Sequence, residues 1–338
     1  MPSLPSAAAP RLSLALSAAF CTLAHAGCVP TLAKKLLHVV RSHNSAAATA
    51  AAARAFVVNG EAIGRVLPNS AALLSEYPDV FEVNEHAVLL RERAGATADE
   101  RTESVAAVIN QIRSQGCCPL LADSKWRDES FAIRSHFHAA PSLYVERAAA
   151  GLFGCPAYGV FLNGFVADGG DDGWGGPRPT ALWLGRRSRS KPTWPGLLDC
   201  LAAGGVAAGK LPAQAMVDEC MEEADVPEAM ARRALASSAI SYCSIDETGW
   251  ALKRDCLFTF DLRCPAAGWT PACHDGEVDS FELMPLEAVA ELVAHDDGLF
   301  KPNVAVVIAD FLVRHGLVGA DEPGFLELCG ELRGAECR

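Results

Sequence analysis

Three glutamates near residue 220 have a spacing that suggests chemistry. Glu219, Glu222 and Glu223 stand at i, i+3 and i+4, so a helix would place their carboxylates on one face. Crowded carboxylates repel each other unless water or a cation neutralises them, and Mg²⁺ is commonly shared between carboxylates, water and substrate phosphates. Such a site can neutralise a diphosphate and activate an attacking water. The alternative is an ordinary acidic face of a solvent-exposed helix.

The segment around these glutamates predicts a strand, a loop and a helix. Gly204 and Gly205 permit a loop whose backbone passes close to a ligand. Pro212 suits the first turn of a helix, where its missing N–H costs nothing. Ala215 and Cys220 can pack inward on the side of the helix away from the glutamates. Further strands are predicted upstream over 158–166, with a tight turn at Asn163-Gly164, and over 180–184.

The N-terminal third predicts a small α+β unit. Asn59-Gly60 lies between two apolar runs and indicates a hairpin over 55–64, and residues 80–90 indicate a second strand pair. Thr97 and Glu100 form a capping box that begins a helix ending near Gly116. His136 and His138 would share one face of a strand as a metal pair does, but without a further ligand nearby we expect ordinary hydrogen-bonded histidines.

Composition excludes several classes of function. The net charge of −12 argues against binding nucleic acid, because phosphate contacts need clustered Lys and Arg. The basic cluster at 186–191 is either a solvated loop or a local clamp for a few phosphates. The 13 cysteines contain no C-x-x-C pair, so we expect reduced thiols and neither disulfides nor a zinc or metal-storage site. No stretch beyond the N-terminus is apolar for long enough to cross a bilayer.

The first 60 residues contain no Asp or Glu, and residues 12–24 form a modest apolar run after Arg11. This pattern is typical of a cleavable targeting segment, predicted over 1–27. Reduced cysteines favour an organelle, either a plastid or a mitochondrion, over secretion. The alternative is a leader without an address on a cytoplasmic protein.

The acidic helix and the glycines before it resemble the Nudix box. That motif begins with a glycine, five residues and a Glu. Seven further residues lead to Arg-Glu, an apolar residue, any residue and Glu-Glu, and the motif ends with any residue, a glycine and an apolar residue. Gly204, Glu219, Glu222 and Glu223 match it. The sequence departs from it at three positions, where Lys210 replaces the first Glu, Asp218 replaces the Arg and Asp225 replaces the last Gly. The family's Arg would orient a metal-binding Glu, so Asp218 predicts reduced activity or a substitute cation, for which Lys210 is a candidate.

The resemblance extends over about residues 30–318. The chain is similar to the Nudix branch found in plant hydrolases and at the N-terminus of yeast thiamine pyrophosphokinase. The stretches that carry this similarity are 146–154, 182–196, 203–205, 240–242, 253–255, 275–281 and 311–316.

This resemblance implies an α/β fold, an α/β/α sandwich around a mixed sheet, preceded by a smaller α+β domain. The predicted domains are 28–150 for the N-terminal unit and 151–320 for the Nudix unit, with a tail at 321–338. The branch implies hydrolysis of oxidised thiamine diphosphate analogues to the monophosphate, with Mg²⁺ or Mn²⁺ as cofactor. The alternatives are hydrolysis of 8-oxo-dGDP or another nucleoside diphosphate derivative, and a catalytically weak Nudix-fold binding protein.

The resemblance also implies roles for individual residues. Glu219, Glu222 and Glu223 would bind the metal, with Glu222, Glu223 and Glu277 as the catalytic set. Glu277 would lie in a loop near the metal as an extra ligand or general base; a solvated loop carboxylate is the alternative. The predicted substrate-binding residues are Gly204 and Gly205 beside the diphosphate, Arg187, Lys191 and Lys301 as phosphate-binding cations, and Trp194 and Phe281 as stacking rings. Core packing is the alternative for the two rings.

Overall fold

The structure is a computed structural model that describes residues 30–46, 52–169, 178–295 and 297–334. The predicted targeting segment 1–27 lies outside these ranges. Thr31–Arg338 forms one compact unit. Its strands are β1 Arg54–Val58, β2 Glu61–Val66, β3 Phe81–Val83, β4 Ala87–Leu90, β5 Ser130–Ile133, β6 Leu143–Glu146, β7 Pro156–Asp168, β8 Arg178–Arg187, β9 Leu198–Asp199, β10 Ala202–Gly205, β11 Leu235–Ile245, β12 Leu252–Arg263 and β13 Val278–Pro285. Its helices are α1 Leu32–His43, α2 Pro68–Leu74, α3 Ala98–Gln115, α4 Ala150–Phe153, α5 Pro212–Ala224, α6 Glu228–Ala231, α7 Leu286–His295, α8 Pro302–Arg314 and α9 Phe325–Glu331.

The N-terminal strands form a four-stranded sheet of order β2-β1-β4-β3. The hairpin between β1 and β2 turns at Asn59 and Gly60, whose φ values of 51° and 79° are those that a tight hairpin turn requires. The predicted strand pair over 80–90 is confirmed as β3 and β4, which are antiparallel. β5 and β6 pair separately as a two-stranded ribbon.

Helix α3 begins and ends where its sequence predicts. The Thr97 side chain accepts a hydrogen bond from the backbone N–H of Glu100, and the Glu100 carboxylate accepts one from the N–H of Thr97. Gly116 ends the helix in the left-handed conformation with φ 65°. Val105, Ile109 and other apolar residues of α3 pack in one core with the N-terminal sheet.

The large sheet has seven strands, five of them in the order β11-β12-β7-β8-β13, while β10 pairs with β7 and β9 pairs with β8. β7 and β12 are parallel and the other pairs are antiparallel, so the sheet is mixed. The predicted turn at Asn163-Gly164 is wrong, because β7 runs unbroken through both residues. The Asn163 amide donates to Asp261 Oδ1 at 3.0 Å, and a Cβ on Gly164 would lie 2.3 Å from Leu201 Cδ2. Asn163 and Gly164 therefore join β7 to its neighbours in the fold and do not form a turn.

The large sheet is covered on both faces, as successive residues of β7 show. Phe161 and Phe165 pack beneath α1, α7, α8 and α9, while Val160 and Leu162 pack beneath α5. We call these the four-helix face and the α5 face. The arrangement confirms the predicted α/β/α sandwich. Helix α9 lies within the predicted tail 321–338 and packs on α1. The domain boundaries stay predictions. None of the described helices is both long and apolar enough to span a bilayer.

Candidate active site

Helix α5 carries the three glutamates, and its two ends follow from local sequence. Pro212 occupies the first turn, where a backbone N–H has no partner within the helix. The helix ends at Ala224, and Asp225 follows in the left-handed conformation with φ 49° and ψ 37°. Glycine is the usual residue in this conformation, and Asp and Asn are the side chains that adopt it most readily. Asp225 therefore takes the conformation that a glycine would take at this point of the motif.

Two of the glutamates are anchored to strand β10. A Cβ on Gly204 would lie 1.8 Å from Glu219 Oε1, so this carboxylate occupies the space that any side chain at 204 would fill. Glu223 is 7% exposed, and its Oε2 accepts a hydrogen bond from the Ala203 backbone N–H at 2.9 Å. Glu222 is exposed on the same side of the helix, and its side chain can change rotamer at little cost.

The carboxylates lie close enough to affect one another electrostatically. Burial, together with the charges of Glu222 and Glu277, raises the pKa of Glu219 to about 7. Burial and the charge of Asp199 raise the pKa of Glu223 to about 8. Both shifts arise because negative charge is concentrated where solvation is poor, and a bound cation would relieve that cost.

Lys210 and Asp218 form a salt bridge between the loop before α5 and the helix. Lys210 Nζ lies 2.6 Å from Asp218 Oδ2, and the Gln214 amide donates to Asp218 Oδ1 at 2.8 Å. The hydrogen bond from Lys210 lowers the pKa of Asp218. The two positions at which the motif has Glu and Arg thus hold an opposite-charge pair in reversed order. Asp218 is thus paired with Lys210, the cation that the sequence suggested as a substitute at this site.

Glu277 and Lys191 form an ion pair between the loop that follows β8 and the loop that precedes β13. The Lys191 ammonium forms an ion pair with the Glu277 carboxylate, and the backbone N–H of Ser188 donates to the Glu277 carbonyl at 2.8 Å. Glu277 is close enough to Glu219 to contribute to its raised pKa. Glu277 therefore lies within electrostatic reach of Glu219, and its role as an extra ligand or general base stays a prediction.

Arg187 and Lys301 lie inside the protein and share one partner. Arg187 Nη1 and Lys301 Nζ donate to Asp199 Oδ2 at 2.8 Å and 3.0 Å, and all three side chains are buried. Asp199 also contributes to the raised pKa of Glu223. Asp199 was not predicted as a site residue, because its only signal is an acidic residue between the apolar Leu198 and Cys200.

The predicted aromatic residues differ in accessibility. Trp194 is 39% exposed and has φ 50°, a conformation that is strained for a bulky residue and tends to occur at functional sites. Phe281 is partly buried and packs with the apolar cluster beneath α5, and its Cε1 lies 3.2 Å from the position of a Cβ on Gly185. The packing alternative therefore describes Phe281, whereas Trp194 is available to a ligand.

The glutamates offer the oxygen ligands that a divalent cation such as Mg²⁺ prefers. Within the described ranges, no three His, Cys, Asp or Glu side chains already surround a metal-sized gap. His136 and His138, which are exposed, likewise form no such group with a third ligand among the described residues. The chemistry of the glutamates nevertheless fits a hard cation, because three carboxylates lie on one helix face, and burial together with neighbouring negative charges raises the pKa of Glu219 and Glu223. No disulfide links the cysteines of the described residues, and Cys155, Cys200 and Cys220 are buried.

Comparisons with known families agree with this geometry. The NUDIX domain family matches residues 175–304, which include β8, α5 and the three glutamates. A Domain of unknown function (DUF4743) matches residues 35–157. The fold and the acidic helix thus define an enzyme class that hydrolyses diphosphate linkages.

Relatives extend the similarity to most of the chain. Nudix hydrolase 20, chloroplastic, of Arabidopsis thaliana is 36% identical over 290 residues, which cover 83% of this chain and 73% of that protein. Nudix hydrolase 24, chloroplastic, of the same plant is 36% identical over 284 residues, which cover 83% of this chain and 73% of that protein. A solved structure, DR0079 from Deinococcus radiodurans, is 20% identical, with a TM-score of 0.35 and coverage of 51% of this chain and 92% of that one. The chain belongs to the Nudix hydrolase family, and it is a hydrolase of nucleotide diphosphate-type substrates.

Proposed function

We propose that the protein hydrolyses oxidised thiamine diphosphate analogues to the monophosphate and inorganic phosphate, with Mg²⁺ as its cofactor and Mn²⁺ as a substitute. The observation that carries the hydrolase part is the anchored glutamate face of α5. Glu219 lies against Gly204, Glu223 is bonded to Ala203, and Glu222 is free to move. The resemblance of the chain to the thiamine-associated branch supports the choice of substrate, and the accessible Trp194 ring supports an aromatic organic group.

In this proposal Glu219, Glu222 and Glu223 hold the cation. Mg²⁺ supplies charge neutralisation and polarises the diphosphate when it is bound. Water attacks the terminal phosphorus, the bridging P–O bond breaks, and the monophosphate and phosphate leave. Glu277 accepts the proton of the attacking water once a substrate phosphate takes over its partner Lys191. The three glutamates lie on α5, whereas Lys191 follows β8 and Glu277 precedes β13, so the positions of these groups relative to one another depend on the sheet.

Arg187 and Lys301 act as positioning residues in the same proposal. They are buried and hydrogen-bonded to Asp199, so they keep β8, β9 and the start of α8 in place around Glu223. A direct role in binding substrate phosphates requires one of them to leave Asp199. Breaking a buried ion pair costs about 3–5 kcal/mol, which favours the positioning role.

A catalytically weak binding protein is the second candidate. The observation that favours it is that the described residues hold no ready-made three-ligand metal site. Two findings favour catalysis over it, because the departures at 218 and 225 are compensated. Asp218 is paired with Lys210, and Asp225 adopts the conformation expected of glycine.

Phosphate release separates these functions. The assay uses a panel of oxidised thiamine diphosphates, 8-oxo-dGDP, ADP-ribose and nucleoside diphosphate sugars, with and without Mg²⁺. For the last two classes, the AMP or sugar-phosphate product is followed. Wild type is compared with Glu222→Gln and Glu223→Gln, and Glu103→Gln on helix α3 is the matched control because it removes an exposed helical carboxylate far along the chain.

We expect Mg²⁺-dependent turnover of the oxidised thiamine diphosphates that both site variants lose and the control retains. Preference for 8-oxo-dGDP would support the nucleoside diphosphate alternative. A folded wild-type protein that turns over no compound but binds one of them would establish the binding protein.

We further propose that the protein acts in a plastid. The two Arabidopsis relatives are named as chloroplastic, and the first 60 residues of this chain contain no acid. A fluorescent fusion of the full chain is expected to enter plastids, and one that lacks residues 1–27 is expected to stay outside. Accumulation in mitochondria would support the other organelle.

A further inference from the structure

Residues 146–154 connect the N-terminal strands to the large sheet, and they are one of the stretches that carry the similarity to the Nudix branch. A Cβ on Gly154 would lie 1.9 Å from the carbonyl oxygen of Arg65 on β2. A Cβ on Gly151 would lie 2.6 Å from the Cβ of Ala251, which directly precedes β12. The segment therefore packs closely against both sheets, and this packing fixes its position.

Two glutamates hold Arg147, the second residue of this segment. The Glu146 carboxylate accepts hydrogen bonds from the backbone N–H groups of Arg127, Glu129 and Ala148 at 2.9, 3.2 and 3.2 Å. The Arg147 backbone N–H donates to the Glu129 carbonyl at 2.8 Å, and Arg147 Nη1 donates to Glu129 Oε2 at 2.7 Å. These bonds hold one side of the guanidinium and set the direction of Nη2.

Arg147 Nη2 lies beside Gly205 of β10. A Cβ on Gly205 would be 3.9 Å from this nitrogen, and no other described residue outside its chain neighbours would be within 4 Å. Gly205 and Arg147 are both exposed, so the space between them is open to a ligand. Because consecutive Cα atoms are about 3.8 Å apart and Glu219 Oε1 lies against Gly204, Arg147 Nη2 is within roughly 13 Å of this carboxylate.

The glutamates reach the free edge of β10, which pairs only with β7 among the described strands. The Ala203 N–H donates to Glu223 and therefore points away from β7. Gly204 and Gly205 face opposite sides of the strand, so Glu219 and Arg147 approach this edge from opposite sides. An elongated anion that lies along the edge can contact the glutamate site and the guanidinium together, and a diphosphate has this shape.

The Arg147 guanidinium can bind an anion more readily than the buried cations near the glutamates. Arg187 and Lys301 would have to leave a buried carboxylate, which is costly. The side chains of Arg147 and Glu129 are 52% and 49% exposed, and an exposed ion pair rearranges at little cost. A guanidinium also carries several N–H donors, so Nη1 can keep Glu129 while Nη2 donates to a phosphate.

We propose that Arg147 binds the substrate diphosphate, with Nη2 donating a hydrogen bond to a phosphate oxygen beside Gly205. Glu129 is a positioning residue that holds Nη1. The segment 146–154 thus brings a cation from the N-terminal part of the chain to the glutamate site. The inference rests on the proposed function, because it takes the diphosphate to be the group that is bound at the glutamates.

Binding is measured with methylenediphosphonate, a diphosphate analogue whose P–C–P bridge is not hydrolysed. Calorimetric titration of the full chain in Mg²⁺ gives its Kd, and phosphate release from whichever diphosphate the protein turns over gives kcat and KM. Wild type is compared with Arg147→Gln and Arg147→Lys. Arg93→Gln is the matched control, because Arg93 is 57% exposed and pairs with Asp79 at 2.8 Å.

Arg147→Gln should raise Kd and KM by about tenfold, the effect of losing one hydrogen bond between charged groups at a partly exposed site. Its kcat should change by less than about threefold, because a contact made equally in the ground state and the transition state affects KM. Arg147→Lys keeps the charge and should raise Kd by less, and Arg93→Gln should keep the wild-type values. All variants should unfold at the wild-type urea concentration, since both ion pairs are exposed.

A second-site variant separates the effect of charge from that of structure. Gly205→Lys places an ammonium close to where the Arg147 guanidinium lies, because a Cβ on Gly205 is 3.9 Å from Nη2. In the Arg147→Gln background it should return Kd to within about threefold of wild type, since the lysine supplies the missing positive charge. A role of Arg147 that is confined to its contact with Glu129 predicts no such recovery.

The role of Arg147 and the hydrolase proposal fail on different results. Wild-type Kd and KM in Arg147→Gln, with turnover intact, would overturn the role of Arg147 and leave the hydrolase standing. A raised Kd that neither Arg147→Lys nor Gly205→Lys lowers would also overturn this role, because charge would not be the cause. A raised Kd that Gly205→Lys lowers, in a protein that releases phosphate from no compound, would support the role of Arg147 and overturn the hydrolase.

Discussion

Replacing Gly204 by alanine tests whether the glutamate face is the catalytic centre. The added Cβ would lie 1.8 Å from Glu219 Oε1 and 2.1 Å from its Cδ, whereas ordinary contact begins at 3.4 Å. The Glu219 carboxylate must therefore move by roughly 1.5 Å, since the backbone of β10 is held by its pairing with β7. A misplacement of about 1 Å costs on the order of 100-fold in rate, so we expect kcat to fall by about that factor.

The assay measures kcat and the Mg²⁺ concentration for half-maximal rate. Gly205→Ala is the matched control, because the next residue of the same strand leaves 3.9 Å of space for its Cβ. We expect Gly204→Ala to weaken Mg²⁺ dependence as well as kcat, while Gly205→Ala keeps the half-saturating Mg²⁺ concentration. Wild-type kcat and Mg²⁺ response in folded Gly204→Ala would refute the assignment of Glu219 as a metal ligand.

Three further predictions follow from the ion pairs. Lys210→Asp and Asp218→Lys should each lower kcat/KM, and the double variant, which exchanges the two residues, should restore it. The coupling in this double-mutant cycle should be about 0.5–1 kcal/mol because both groups are partly exposed. Purely additive losses would contradict the pairing. Hydrogen bonds to Asp261 lower its pKa below the unfolded value, although burial alone would raise it. Asp261 therefore stabilises the fold fully above about pH 5, and this stabilisation is lost as acid protonates the carboxylate. Urea unfolding across pH should show the loss, and Asp261→Asn should make the free energy of unfolding depend less on pH. Asp199→Asn should cost about 3–5 kcal/mol in urea unfolding because two buried cations lose their acceptor, whereas Asp79→Asn at an exposed pair should cost less than about 1 kcal/mol.

Local signals in the sequence predicted the elements whose ends depend on nearby residues. The capping box at Thr97 and the hairpin at Asn59-Gly60 each involve only a few consecutive residues. Their geometry therefore follows from the local sequence alone. The same dipeptide at Asn163-Gly164 gave a wrong turn. There Asn163 bonds to Asp261, 98 residues away, and Gly164 accommodates Leu201. Tertiary contacts of that range leave no periodic signal in the surrounding residues.

The site was predictable to the extent that it lies on one helix. Helical spacing placed Glu219 and Glu223 on one face, and the structure shows them anchored to β10. Their surroundings come from distant strands, and no spacing rule connects these. Asp199 is a single acid between the apolar Leu198 and Cys200, and no local pattern distinguishes it from the other acids of the chain. The buried positions of Arg187 and Lys301 were likewise hidden, because a basic side chain is normally expected at the surface.

The three departures from the motif can be judged by the physical role of each position. The last glycine of the motif stands where a helix turns into the left-handed conformation, and Asp225 adopts that conformation. The motif's Glu and Arg carry opposite charges eight residues apart, and Lys210 and Asp218 retain an opposite-charge contact across the same loop. The attraction between two charges does not depend on which partner is positive. The carboxylates that need a cation are themselves unchanged, so the departures preserve the roles that the chemistry requires, and the structure favours an active hydrolase over a silent one.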